Sequence, residues 1–158
     1  MSIAPVTCSV EVKVSAARAF ELFAQNMSDW WPRGQTPAAR PHVALIVEPK
    51  RNGRWFERDA DGAETPWGKV LAWEPPRRLV LGWQLDHQFR FDAAVLMEVE
   101  ILFEALPSGG TRVSLEHRDL EQLGAEAATF AGRIRTGWPE RMGNFAQYAA
   151  GQAGARGR

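Results

Sequence analysis

The sequence lacks several features that mark common protein classes. Its one cysteine, Cys8, cannot form an internal disulfide and leaves no C-x-x-C spacing for zinc, which fits a reducing compartment. Nineteen cations balance nineteen anions, so there is no excess of basic residues for nucleic acid or anionic lipid. Apolar runs such as 43–47 are too short to span a bilayer. We therefore expect a cytoplasmic protein that binds neither nucleic acid nor membrane.

The sequence also lacks the short motifs of several enzyme classes. It contains no G-x-G-x-x-G, phosphate-binding loop, H-E-x-x-H or G-x-S-x-G motif. His42 and His87 have no spacing that joins them to His117, so we expect no metal site and no cofactor. These absences weaken nucleotide-binding, metallohydrolase and serine-hydrolase interpretations. Sixteen Arg against three Lys are typical of a GC-rich bacterial genome.

The periodicity predicts one α+β domain over 1–158, with a core at about 6–150 and a flexible tail at 151–158. Ser15 is the predicted N-cap of a helix that runs to about Gln25, and residues 33–41 read as a surface loop. A second helix is predicted at about 122–150, with a kink or a fresh helix start near Gly137 to Pro139 and an end at Gly151. The predicted strands run at about 6–14, 43–48, 53–59, 65–74, 77–86, 94–106 and 110–119.

Short turns between these strands favour antiparallel neighbours, and a curved sheet against a long helix leaves a wedge in which small ligands bind. The order of elements and seven sequence landmarks resemble the START-like (SRPBCC) superfamily. Within it, the chain is most similar to the group named after the C-terminal domain of the activator of the heat-shock protein 90 ATPase. The landmarks are Trp30-Trp31-Pro32, Glu48-Pro49, Asn52-Gly53-Arg54-Trp55, Gly68-Lys69-Val70, Pro75-Pro76-Arg77-Arg78-Leu79 ahead of Trp83, Glu116-His117 and Gly137-Trp138.

The resemblance covers roughly residues 6 to 150 and implies a helix-grip fold. In that fold a curved antiparallel sheet of about seven strands wraps around a long C-terminal helix, and a short helical segment follows the first strand. The superfamily hosts lipid carriers, hormone receptors, and polyketide aromatases and cyclases, so the resemblance is more specific for fold than for function.

Seven Trp beside a single Tyr are the most unusual feature of the composition. Several indoles fall on strands in the phase of the apolar face, where they either fill the core or form the wall of an aromatic ligand site. His117 shares the inward phase of its strand and is either a satisfied core histidine or a base or ligand-binding group. The candidate ligand-binding residues are Trp67, Trp83, His117, Trp31, Trp55, Met97, Phe130 and Ile134.

Three hypotheses of function follow. The first is a binding module that holds a small apolar or aromatic molecule between the sheet and the last helix, without covalent chemistry. The second is an aromatase/cyclase-like or hydrolytic enzyme with His117 as its catalytic base. The third is a protein-interaction module that regulates a chaperone ATPase. The sequence also leaves open whether the protein forms a homodimer.

Overall fold

The computed structural model describes residues 3–32 and 43–156; the loop predicted at 33–41 and His42 lie outside the described residues. Seven strands and three α-helices account for most of the chain, and a 3₁₀ segment at Leu120–Glu126 precedes the last helix. The strands are β1 (Val6–Val12), β2 (Ala44–Val47), β3 (Arg54–Arg58), β4 (Glu64–Glu74), β5 (Arg78–Trp83), β6 (Met97–Ala105) and β7 (Thr111–Arg118), and the helices are α1 (Ala16–Gln25), α2 (Met27–Trp30) and α3 (Ala127–Arg156).

The seven strands form one antiparallel sheet in the order β1-β7-β6-β5-β4-β3-β2. The first two strands of the chain lie at opposite edges, and α1 and α2 carry the chain between them. The sheet curls into a half-barrel, and α3 lies along it. The predicted α+β helix-grip fold is therefore confirmed. No helix within 3–32 or 43–156 is both long and apolar enough to cross a membrane.

Helix α1 begins where the sequence predicts. The Ser15 side-chain oxygen accepts a hydrogen bond from the backbone N–H of Arg18 at 3.2 Å, which satisfies one of the free donors of the first turn. The apolar stripe of α1 is buried, and the Phe20 and Phe23 rings both contact Phe103 of the sheet. The cap and the stripe together fix α1 against one end of the half-barrel.

Helix α3 begins and ends later in the chain than the sequence predicts. It passes through Pro139 without a break and continues beyond Gly151 to Arg156, so the predicted end at Gly151 is wrong. The extra turn makes its own contacts, since the Gln152 side chain accepts a hydrogen bond from the Arg18 guanidinium at 3.3 Å and Ala153 packs against the core. These contacts offset the low helix propensity of glycine.

Strand β4 contains two register shifts. Its pairing with β3 skips Trp67, and its pairing with β5 skips Leu71. Each extra residue changes which of the following side chains face the core. Trp67 and Val70 are buried as a result, while Lys69 between them is exposed. The lysine that interrupts the apolar alternation of this strand is thereby kept in solvent.

Gly68 lets β4 and β5 approach beside one of these shifts. A Cβ atom at this position would lie 1.7 Å from the carbonyl oxygen of Gly82 on β5, which no side chain can tolerate. Gly68 is paired with Trp83 across the two strands. The absence of a side chain at Gly68 therefore helps to set where the Trp83 ring enters the core.

The outer face of the sheet carries a grid of charged side chains. The Arg118 guanidinium forms ion pairs with Glu98, Glu100 and Glu116 at 2.7, 3.0 and 3.3 Å. A hydrogen bond from Arg78 lowers the pKa of Glu100 below its ordinary value. These ion pairs keep the outer face polar and contribute modestly to the stability of the fold.

Candidate functional site

Five tryptophans form a closed circle in the core between the sheet and α3. Going around it, consecutive ring centroids are separated by 5.0, 5.2, 5.9, 5.9 and 5.8 Å, and each contact is edge-to-face. Edge-to-face packing places the positive edge of one indole against the negative face of the next. We call this group the indole circle; its members, in order of contact, are Trp31, Trp67, Trp55, Trp83 and Trp138.

Each member of the indole circle is placed by a different element. Trp31 follows α2 directly and Trp138 lies on α3, whereas the other three members come from strands. Trp55 and Trp83 lie on β3 and β5, and Trp67, at the register shift of β4, contacts Trp55 and Trp31. The circle therefore ties both layers of the fold together at one point.

All eight side chains predicted to bind ligand are buried. Trp83, at the end of β5, contacts two of the others: its ring centroid lies 4.9 Å from that of His117 and 6.2 Å from that of Phe130. Met97 is its cross-strand partner on β6, and Ile134 lies on α3 one turn beyond Phe130. The exposed fractions are Trp31 5%, Trp55 0%, Trp67 1%, Trp83 4%, Met97 0%, His117 0%, Phe130 0% and Ile134 5%.

His117 makes one hydrogen bond inside the core. The Trp138 indole N–H donates to His117 Nδ1 at 3.0 Å, so the neutral imidazole carries its proton on Nε2. Burial lowers the pKa of His117 from 6.5 to about 3, and the ring stays neutral at physiological pH. A general base at this position would need a free lone pair, and this tautomer offers an N–H instead.

Three buried N–H groups beside the indole circle have no hydrogen-bond acceptor among the residues that the structure describes. They belong to the indoles of Trp55 and Trp83 and to Nε2 of His117. The ring of Trp83 contacts both of the others. Three buried donors without an acceptor are thus gathered at and around the Trp83 ring.

A buried acid lies on the other side of the circle. Glu57 of β3 is 1% exposed, and its carboxylate accepts a hydrogen bond from the Trp67 indole N–H at 2.9 Å. Trp31 is the neighbour of Trp67 in the circle. The Arg141 guanidinium covers the Trp31 ring, and its central carbon lies 5.0 Å from the ring centroid. Burial lowers the pKa of Arg141. Polar groups therefore flank the indoles on this side.

Phe89 closes the cluster from the connection between β5 and β6. Its ring centroid lies 6.4 Å from Trp83 and 5.8 Å from Phe130, and its backbone has φ of 60°, a conformation that a bulky side chain rarely adopts. The Asp86 carboxylate holds the turn by accepting hydrogen bonds from the backbone N–H groups of Gln88 and Arg90 at 2.9 and 3.0 Å. The side chain of Phe89 is half-buried, so it separates the cluster from solvent.

Sequence reasoning missed four residues of this region: Glu57, Phe89, Trp138 as a hydrogen-bond donor, and Arg141. For Trp138 a signal was present, because Phe130, Ile134 and Trp138 recur at helical spacing on the stripe that faces the sheet. Glu57 and Phe89 gave no comparable signal, since their positions depend on a bulged strand and an irregular connection.

A cleft of about 290 Å³ lies away from the indoles, on β1, β7 and β6. It is lined by Thr7, Cys8, Ser9, Glu100, Leu102, Ser114, Leu115 and Glu116, none of which is a predicted ligand-binding residue. Burial raises the pKa of the Cys8 thiol to about 11, so the thiol is protonated and unreactive near neutral pH.

Within 3–32 and 43–156, no group of three or more His, Cys, Asp or Glu side chains could hold a metal ion.

Comparison with solved structures gives matches over nearly the whole chain. An anthrahydroquino-gamma-pyrone synthase, Txn09, solved complexed with SUM, is 34% identical, with a TM-score of 0.65 over 92% of this chain and 97% of that chain. A self-sacrificing resistance protein, CalC from Micromonospora echinospora, is 29% identical, with a TM-score of 0.71 over 94% and 96% of the two chains.

A more distant match shares the fold alone. The Aha1 dimer from Colwellia psychrerythraea is 10% identical, with a TM-score of 0.65 over 94% of this chain and 97% of that chain. A comparison with curated proteins found no significant match. The family model described as "Activator of Hsp90 ATPase homolog 1-like protein" matches residues 13–150, and the chain therefore belongs to this family.

Proposed function

We propose that this protein is a cytoplasmic binding module for a small apolar or aromatic molecule, held between the sheet and α3 against the indole circle. The observation that carries the proposal is the indole circle itself. Five indoles in mutual edge contact, with His117 and Phe130 beside them, concentrate aromatic side chains between the sheet and α3. Such a lining recognises flat, conjugated molecules through area burial and ring geometry.

The relatives support a ligand-binding role in general. The synthase that is 34% identical was solved complexed with SUM, and the likeness extends over 92% of this chain. The resistance protein that is 29% identical has the same fold over 94% of this chain. Ligand binding in this protein would use the wedge between the sheet and α3.

A synthase-type reaction is the second candidate, because the 34% identical relative is named a synthase. His117 is the titratable group at the centre of the cluster, yet its Nδ1 accepts from Trp138 and its Nε2 carries the proton. In such a reaction His117 would act by donating a hydrogen bond to a developing oxyanion rather than by removing a proton.

The chaperone-regulating role requires an exposed apolar surface. Among the residues that the structure describes, the large exposed apolar side chains are Val43, Phe91 and Leu102, which lie before β2, between β5 and β6, and on β6. Three separate side chains on different elements do not favour a docking surface. A pull-down of the full chain with a chaperone ATPase tests that role, and light scattering tests the predicted homodimer.

Competitive displacement of a fluorescent dye tests the binding proposal. We expect 8-anilinonaphthalene-1-sulfonate to bind the folded protein at one site, and naphthalene to displace it with a dissociation constant on the order of 10–100 µM, given about ten heavy atoms. Replacing the central indole, Trp83→Leu, is expected to weaken both affinities at least tenfold, because the ligand loses its largest contact surface.

Trp73→Leu is the matched control. Trp73 is half-buried and packs on Phe20 of α1, with ring centroids 4.9 Å apart, outside the indole circle. The control is expected to leave dye binding within twofold of the wild type. The proposal is wrong if the folded protein binds neither dye nor naphthalene, or if the two variants weaken binding equally.

A further inference from the structure

Three unpaired donors in and beside the indole circle indicate which chemical groups a ligand needs. Trp55 Nε1, Trp83 Nε1 and His117 Nε2 are buried and have no acceptor among the described residues. Their side chains are 0%, 4% and 0% exposed. Buried N–H groups in folded proteins almost always have a partner, so three in one cluster require an explanation.

All three groups are donors, and none can act as an acceptor. An indole nitrogen has only its N–H to offer. The His117 ring could present either a proton or a lone pair at Nε2, but Nδ1 already accepts from Trp138 at 3.0 Å. The neutral ring must therefore carry its proton on Nε2. Burial keeps the ring neutral, because it lowers the pKa of His117 to about 3.

The three donors belong to one continuous group of rings. The Trp83 ring lies between the other two, with its centroid 5.9 Å from Trp55 and 4.9 Å from His117. The three residues come from β3, β5 and β7, so the group spans the inner face of the sheet. A ligand bound against the Trp83 ring would therefore lie next to the side chains of the other two donors.

The chemistry of the donors selects the acceptor. A hydroxyl group or a water molecule brings protons of its own, which would need acceptors in turn, whereas the unpaired groups here are all donors. A carboxylate would carry a full charge against three neutral donors in an apolar setting, which costs free energy. A carbonyl oxygen accepts two hydrogen bonds and introduces neither proton nor charge.

We propose that the ligand is a planar aromatic molecule with a conjugated ketone or quinone-type carbonyl, whose oxygen accepts hydrogen bonds from the Trp83 indole and from His117 Nε2. Trp55 provides the donor for a second oxygen or an alternative pose. This inference rests on the proposed binding function and adds the chemical class of the ligand to it. The aromatic skeleton contacts the indole circle, and the carbonyl pairs the donors that the fold leaves without partners.

A matched pair of compounds tests the inference. 2-Acetylnaphthalene and 2-ethylnaphthalene differ by one carbonyl oxygen on the same skeleton, and both are assayed by displacement of 8-anilinonaphthalene-1-sulfonate from the full-length chain. The hydrophobic effect alone favours the more apolar ethyl compound. Pairing of buried donors predicts the opposite order, with the ketone at least about tenfold tighter.

Two variants locate the effect. Trp83→Phe keeps an aromatic ring and removes the N–H, and it is expected to reduce the preference for the ketone to threefold or less. Trp55→Phe, a second variant in case the first does not fold, is expected to reduce the preference by a smaller factor. Trp73→Phe, outside the indole circle, should keep the full preference. Each preference is the ratio of two ligand affinities for the same variant. A general loss of packing lowers both affinities and therefore cancels in the ratio.

The outcomes separate the two proposals. If both compounds displace the dye with equal affinity, the binding function stands and the inference about the carbonyl is overturned. If the ketone is preferred equally by the wild type, Trp83→Phe and Trp55→Phe, the indole donors are not what recognises it and the inference is likewise wrong. If neither compound nor naphthalene binds, the binding function itself fails and the inference fails with it.

Discussion

The buried, neutral His117 gives the stability of this protein a pH dependence that can be calculated. In the folded protein the pKa of His117 is lowered from 6.5 to about 3 by burial. In the unfolded chain the imidazole is exposed to water and titrates near 6.5. Between these two values the unfolded state binds a proton that the folded state does not. The free energy of unfolding therefore falls as the pH is lowered through 6.5.

The magnitude follows from proton linkage. Each pH unit well below 6.5 and above 3 costs about 1.4 kcal/mol, and the full integral from pH 7.5 to pH 5 is about 2 kcal/mol. The hydrogen bond from Arg78 lowers the pKa of Glu100, so this carboxylate stays charged through the interval. Because burial is the cause rather than a nearby charge, added salt should leave the slope unchanged.

Urea denaturation followed by circular dichroism at several pH values measures this loss. His117→Gln is the matched control, since its amide oxygen can accept from Trp138 and the side chain does not titrate. The control also keeps His42 and His87, so any contribution from them appears in both proteins. We expect the wild type to lose about 2 kcal/mol more than the variant between pH 7.5 and 5. Parallel pH curves for the two proteins would refute the reasoning.

Two further predictions concern packing. Gly68→Ala is expected to destabilise the fold by at least about 3 kcal/mol in urea denaturation, because its Cβ would lie 1.7 Å from a carbonyl oxygen of β5. Gly132→Ala, on an exposed helical position with nothing within 4 Å, should instead stabilise by up to about 1 kcal/mol, and equal losses would contradict the argument. Trp138→Phe should cost about 2–4 kcal/mol, because His117 Nδ1 loses its buried partner and a cavity opens. Trp73→Phe should cost less than half as much by the same measurement; a similar loss for both would show that the hydrogen bond is unimportant.

Most of the fold could be predicted from the sequence because its elements follow regular periods. The alternation of Val113, Leu115 and His117 on β7 predicts that the histidine faces inward, and the structure buries it completely. Ser15 predicts the start of α1 because its capping hydrogen bond joins residues only three positions apart in the chain. Features set by two-residue and three-residue spacing therefore transfer directly from sequence to structure.

The site was predicted only in part, because it depends on where elements meet. The alternation of β4 conflicts with Lys69, and the two register shifts that resolve this conflict have no sequence signature of their own. The bond between Trp138 and His117 joins α3 to β7 and depends on the angle at which the helix crosses the sheet. The end of α3 was misplaced because contacts from Arg18 to Gln152 outweigh the local glycine signal.

The indole circle also has an optical consequence. Neighbouring indole centroids are 5.0 to 5.9 Å apart, and Trp30 lies 5.8 Å from Trp31, so six of the seven tryptophans form one coupled set of chromophores. Excitation absorbed by any of them can pass to its neighbours before it is emitted. A molecule that quenches one member will then dim the whole set. The ultraviolet emission of the unlabelled protein is thus a reporter of events at its own core.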